Sequence, residues 1–185
     1  MAIAINGAGT ITGISAGGLP DGVIQAADLA SGVGGKVLQV VNVLNNTAST
    51  STAQFPYDDT IPQNTEGTEL MTLAITPQSA SSNLYIHIQV CGTKSNESPV
   101  WWGLFVDSTA NALAWGGYYT GNVSIQHNGN MFHVVASAST SARTYKVRVG
   151  TDGATTGTVY INRTSASASR MGNIGYSGMV IYEIA

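Results

Sequence analysis

The chain predicts an all-β fold: an antiparallel jelly-roll-type β-sandwich preceded by an extended Gly-rich N-terminal arm. Strand-period segments recur at spacings of about 8 to 14 residues after residue 35, and no helical period interrupts them. Charged residues are 9% of the 185, against about 25% in an ordinary soluble domain, so hydroxyls, amides and glycine must keep the surface wet. The opening stretch, Ala2 to Gly35, holds nine glycines and only Asp21 and Asp28 as charges. These observations divide the chain into an assembly or attachment arm, 1–35, and a sandwich domain, 36–185.

The arm has neither the apolar mass for a core nor the repulsion of a solvated tail. Ile3/Ile5 and Ile11/Thr12/Ile14 alternate with strand period, Leu19-Pro20-Asp21-Gly22 is a turn, and Val23 to Ala30 has room for about two turns of helix. Such a segment satisfies its backbone by adding strands to other chains. Ile3, Ile5, Ile11, Ile14, Leu19, Val23, Ile24 and Leu29 are its expected assembly contacts.

After Gly34-Gly35, Lys36 to Leu44 is β-branched and reads as the first strand of the sandwich. Asn45 to Thr68 is polar and contains Pro56 and Pro62, which exclude helix and predict an ordered surface loop. Glu69 to Thr76 places Met71, Leu73 and Ile75 on one face, and Thr76-Pro77-Gln78-Ser79 turns the chain. Leu84, Ile86, Ile88 and Val90 alternate with Tyr85, His87, Gln89 and Cys91, the pattern of a half-buried strand. Val100 to Asp107 is the most apolar segment and predicts a central strand. Ala112 to Tyr119, Val123 to His127 and Met131 to Ala138 follow, with Asn128-Gly129 as the strongest hairpin signal. Arg143 to Val149 alternates Tyr145, Val147 and Val149 with Lys146 and Arg148. Asp152-Gly153 reads as a turn, Gly157 to Arg163 as a strand, Thr164 to Ser169 as a small-residue stretch, and Gly178 to Ile184 as the closing strand. An immunoglobulin-like sandwich is the second choice, since its Cys, Trp, Cys pattern is absent.

Seven basic and ten acidic residues give a net charge of −3, which leaves no footprint for nucleic acid and no polybasic patch for a membrane. The lone Cys91 excludes an intramolecular disulfide, so packing and association must hold the fold. No basic, then apolar, leader opens the chain and no run of about 18 apolar residues occurs, so synthesis in a cytoplasm without membrane insertion is expected. Sequons at Asn45, Asn96, Asn122 and Asn162 then read as chance matches in an Asn/Ser/Thr-rich sequence.

Catalytic motifs fail on context. Gly13-Ile14-Ser15-Ala16-Gly17 matches a nucleophile elbow, yet about a dozen residues precede it and Gly17-Gly18-Leu19-Pro20 blocks the helix that must follow. Gly7-Ala8-Gly9 reads as a turn rather than a dinucleotide loop. His87, His127 and His133 lack ligand spacing, Asp58 and Asp59 lack the oxygen spacing of a calcium loop, and Asp107 and Asp152 take the ordinary place of Asp before turns. No pair of acids stands out for glycoside hydrolysis. No catalytic residue, cofactor or metal is therefore assigned. The aromatic set Trp101, Trp102, Trp115, Tyr118 and Tyr119 is the strongest binding signal. Trp101 and Trp102 must point to opposite faces of their strand, so at most one is core and the other meets a subunit interface or a ligand. Apolar positions on both faces of Val100 to Asp107 and Met179 to Ile184 predict a second buried surface, which together with the low charge and the resemblance given below implies a homotrimer.

The run GTITGISAGGLPDGVIQAADLASG, then GKVLQVV, ITPQSASSNLYI, TYKVRV, GTVYINR and a C-terminal VIYEI resembles a module of tailed-bacteriophage virion surface proteins, of head-fibre or tail-fibre type. The resemblance covers the chain in order apart from about Gly92 to Ala138. It implies a non-enzymatic protein of the virion surface, assembled in the host bacterial cytoplasm. As a trimeric capsid decoration (cement) protein, its arm would interlock with neighbouring subunits or the major capsid protein. The alternative it implies is a receptor-binding tail-fibre protein, joined to a tail component, whose sandwich loops bind host surface glycan or protein.

Overall fold

The computed structural model describes residues 36–164 and 175–185. The arm residues Ile3 to Leu29, the Ser15 and Gly7-Ala8-Gly9 motifs and most of Thr164 to Ser169 lie outside the described residues. In chain order the strands are β1 (Val37–Asn45), β2 (Ser49–Ser51), β3 (Gln54–Phe55), β4 (Thr68–Ile75), β5 (Asn83–Lys94), β6 (Pro99–Val106), β7 (Ala114–Tyr119), β8 (His127–Ala136), β9 (Arg143–Asp152), β10 (Val159–Ile161) and β11 (Ser177–Ile184).

They form two sheets. In the first, β1 pairs with β11, β11 with β5 and β5 with β8, while β10 and then β2 continue along the far end of β5. In the second, β4 and β3 share one edge of β9, β6 takes the other, and β7 closes the row. All pairs are antiparallel except the two-residue β3–β9 contact. This is an all-β sandwich of jelly-roll type, as the strand spacing predicts.

Period-2 patterning decides which residues fill it. Leu84, Ile86, Ile88 and Val90 from β5 and Met179 and Ile181 from β11 meet Val100, Trp102 and Leu104 from β6 and Tyr145, Val147 and Val149 from β9 in one buried cluster. Removal of these side chains from water is the main term favouring the fold. Val100–Val106 is central, as expected, with β9 and β7 on its two sides.

Several local readings need correction. Asn128-Gly129 is not a hairpin turn: both residues sit inside β8, which runs opposite β5 from Gly92↔His127 to Asn83↔Ala136. Glycine is required there for another reason. A Cβ on Gly129 would lie 2.0 Å from Cη2 of Trp102, and one on Gly116 would lie 2.9 Å from Nε1 of the same indole. The two glycines make the slot that holds Trp102 between the sheets. The passage Asn45 to Thr68 is likewise not all loop, because it contributes β2 and β3. Asp152 precedes the turn residues Gly153 and Ala154, as expected, and accepts from the Thr155 hydroxyl, but it also has a role the sequence did not show. It ends β9, and its carboxylate accepts a hydrogen bond from Lys94 Nζ of β5 at 2.9 Å, with both side chains almost wholly buried. Lys94 Nζ also donates to the Thr155 carbonyl and hydroxyl, so the ammonium is fully partnered and ties one sheet to the other.

Candidate functional site

The outer side of the second sheet carries an aromatic cleft. Trp101 projects outward from β6 while its neighbour Trp102 turns into the core, as strand geometry demands. Trp101 stands opposite Gly117 of β7, and a Cβ there would lie 2.5 Å from the indole, so the bare backbone lets the ring lie flat across the strand. Trp115 packs against it, with ring centroids 4.7 Å apart and planes at 59°.

The facing wall is the chain between β3 and β4. Phe55 is buried over Gly150 of β9, where a Cβ would come within 3.2 Å of its ring, and also against Gly67. From there residues 56–62 run along the sheet to the β6–β7 connection. They are fastened by the Gln63↔Asn111 bridge and by backbone hydrogen bonds from Asn64 N–H to Ala110 O (2.7 Å) and from Ala112 N–H to Pro62 O (2.8 Å). Pro56 and Pro62 stiffen both ends. Between this strap and the tryptophans lies a cleft of about 380 Å³ lined by Phe55–Pro62, Trp101, Trp102 and Trp115. A second cavity of about 450 Å³, lined by Gln54, Glu66, Gly153 and Ala154, shares Pro56 and Tyr57 with it. Tyr57 therefore stands on the ridge between the two, 70% exposed.

The cleft's charges are all negative. The Asp58 carboxylate accepts hydrogen bonds from the Thr60 hydroxyl and backbone N–H, which lower its pKa below the usual carboxylate value. Asp59 lines the cleft without a hydrogen bond to any described residue.

Of the five aromatic residues singled out by sequence, Trp101 and Trp115 meet in this cleft, and Tyr119 is exposed outside it, its hydroxyl donating to the Glu97 carbonyl at 3.1 Å. Trp102 is buried and Tyr118 half-buried against the core. Trp102 is 1% exposed, and Tyr118 is stacked on His127 with centroids 5.5 Å apart, burial raising its hydroxyl pKa and neighbouring Cys91 adding to the rise. Sequence reasoning missed Tyr57 as a cleft-lining residue and weighed Asp58 and Asp59 only as calcium ligands; the available signal was a long Pro-rich passage, the kind of loop that carries function. Among the described residues no group of three His, Cys, Asp or Glu side chains is placed to hold a metal, and His87, His127 and His133 do not gather.

The first sheet presents a different surface. Val40, Tyr182, Tyr85 and Val134 lie directly opposite one another across β1, β11, β5 and β8, and Asn42, Val180, His87 and Phe132 form the next row. Flanking rows add Leu44 and Gln89 on one side and Val37 and Ile184 on the other, and none of these positions is Asp, Glu, Lys or Arg. Phe132 is 62% exposed. On β6, by contrast, the expected second apolar surface is not open: Phe105 is buried on the outer side, where Ala112 also packs.

The described residues form a β-sandwich with a surface cleft, and comparison with known proteins adds the following. No protein-family model matches the chain, and no curated protein matches it. Among solved structures, a chain of the infectious bursal disease virus Gt strain structure is 12% identical over 79% of this chain and 39% of its own, with a TM-score of 0.42. The infectious bursal disease virus VP2 subviral particle gives 11% identity over 78% of this chain and 37% of that one, with a TM-score of 0.36. Eiger TNF from S. frugiperda gives 6% identity over 75% and 93%, with a TM-score of 0.38. The chain spans less than half the length of the two virus chains. Likenesses this low say nothing further about what the chain does.

Proposed function

We propose that the chain is a non-enzymatic structural protein of a virion surface, a homotrimeric capsid decoration protein of the tailed-bacteriophage kind, whose residues 1–35 engage neighbouring subunits or the major capsid protein. The observation that carries the assembly part is the outer face of the first sheet. Four strands about 4.8 Å apart and four residue rows give an uncharged surface on the order of 400 Å², the size of a monomer patch that is commonly functional. The virion part is supported by the sequence resemblance. Tail-fibre attachment to a host glycan is the second reading, favoured by the aromatic cleft.

Light scattering on the full chain should give three times the monomer mass, and Phe132→Glu with Tyr182→Glu should return it to monomer with the sandwich intact. Monomers of the unaltered chain at micromolar concentration would end the trimer reading. Deleting Ala2 to Gly35 should abolish association with the particle while leaving the sandwich folded. Copy number separates the two readings, because decoration needs tens to hundreds of copies and a fibre only a few trimers. Cleavage of a polymer by the pure chain would overturn the non-enzymatic reading.

A further inference from the structure

We propose that the cleft formed by Trp101, Trp115, Tyr57, Asp58 and Asp59 is a binding site for an uncharged carbohydrate chain. It goes beyond the assembly reading and does not depend on it, and it gives the attachment reading a site and a ligand class.

The surface is built in a way that assembly does not require. An exposed indole beside a half-buried one, with an exposed phenol across the cleft, offers flat apolar faces matching the C–H faces of pyranose rings. Trp115 is 59% exposed, so no described residue covers that face. The charged groups lining the two cavities are Asp58, Asp59 and Glu66, which are acceptors only, and no Lys or Arg lines either. A ligand that fits must bring O–H donors next to apolar faces and no negative charge. A polyol does so.

Anionic polymers are repelled by these carboxylates. A quaternary ammonium needs aromatic walls that converge around one point, whereas Trp101 and Trp115 pack on each other and Trp115 supplies the more exposed ring. Size points to a chain rather than a single sugar: volumes of about 380 and 450 Å³ meet at the Pro56–Tyr57 ridge, each within the range of sites for whole small ligands. The strap is held in place before binding by two prolines and by backbone hydrogen bonds to Ala110 and Pro62, so little order need be gained when the ligand arrives.

The test titrates the full chain with neutral polysaccharides (dextran, amylose, galactomannan and laminarin oligomers) and with heparin and polygalacturonate as anionic controls, reading tryptophan emission. At least one neutral probe should give a saturable blue shift. Trp115→Ala and Tyr57→Ala should each weaken it at least tenfold and Asp59→Ala severalfold, while Tyr119→Ala, outside the cleft, leaves it unchanged. Melting temperatures of the exposed-residue variants, unchanged from the parent, show that each remains folded. The proposal is overturned if no neutral polysaccharide binds, if binding survives Trp115→Ala, or if only the anionic probes or tetramethylammonium bind. None of those results bears on oligomeric state, so the assembly reading is judged separately.

Discussion

Replacing Glu183 with Gln tests how the polar interior holds one end of the sandwich. Glu183 follows Met179 and Ile181 on the inward side of β11 and has no exposed surface. Its carboxylate accepts hydrogen bonds from the Ser82 hydroxyl (2.7 Å), the Gln39 side-chain amide (2.6 Å) and the backbone N–H groups of Gln78 and Ser79 (2.9 Å each). It thereby ties the β4–β5 turn to β1 and β11. Burial alone would raise its pKa; the donors outweigh that and bring it down from 4.5 to about 2. A folded-state pKa below the unfolded one means that the charge stabilises the fold above the unfolded pKa and ceases to as pH falls through the folded value. At about 1.36 kcal/mol per unit, the ceiling is about 3 kcal/mol at pH 7; about half remains near pH 3 and little at pH 2.

Urea unfolding of Glu183→Gln and the parent at pH 7, 5, 4 and 3 measures the difference directly. Glutamine keeps the shape but removes the charge and turns one acceptor into a donor, so a pH-independent offset of about 1 kcal/mol is expected besides the titrating part. The gap between the two proteins should therefore be wide and level from pH 7 to 5 and shrink by at least 1 kcal/mol by pH 3. A gap of the same size at pH 7 and pH 3 would refute the claim that the carboxylate's charge holds this turn.

Two further substitutions probe the interior. Lys94→Met leaves the Asp152 carboxylate buried without its ammonium and should cost about 3–5 kcal/mol in urea unfolding, whereas Lys94→Met with Asp152→Leu should regain most of the loss. Gly129→Ala drives a methyl into an indole already backed by Gly116, so it should cost at least about 2 kcal/mol and change the near-ultraviolet circular dichroism of Trp102.

Much of the fold is legible in the sequence because its core strands are half-buried and their alternation survives uninterrupted. Leu84 to Val90, Tyr145 to Val149 and Met179 to Ile181 each assign their own inward face, and the same parity places Glu183 and Lys94 inside. Those two were legible as inward positions, but not as tolerated charges, because the donors and acceptors that satisfy them come from residues 144 and 58 positions away. Asn128-Gly129 misleads for a related reason. A local turn signal was read where a contact with Trp102 from the opposite sheet governs the choice of glycine. The cleft is hidden in the same way: Tyr57, Trp101 and Trp115 are each visible as aromatics, but it takes the second sheet and the anchoring at Asn111 to bring them together.

The two outer surfaces of the sandwich are therefore not equivalent, and the difference constrains how the protein can use them. On the second sheet the chain covers its own apolar residues: Phe55 and Phe105 are buried there although both lie outside the central cluster. Apart from Tyr119, the large apolar side chains it leaves exposed, Tyr57, Ile61 and Trp115, line the cleft. On the first sheet nothing among the described residues covers Val40, Phe132 or Val134. The proposed self-association is accordingly assigned to the first sheet, with the cleft on the opposite side, two stacked sheets about 10 Å apart lying between them. Occupying one surface leaves the other free, so the Phe132→Glu, Tyr182→Glu variant should bind neutral polysaccharide with the parent's affinity per subunit, and Trp115→Ala should assemble as the parent does. If loss of assembly also abolished binding, the cleft would have to be completed by a second subunit, and the separation of duties between the two sheets would be wrong.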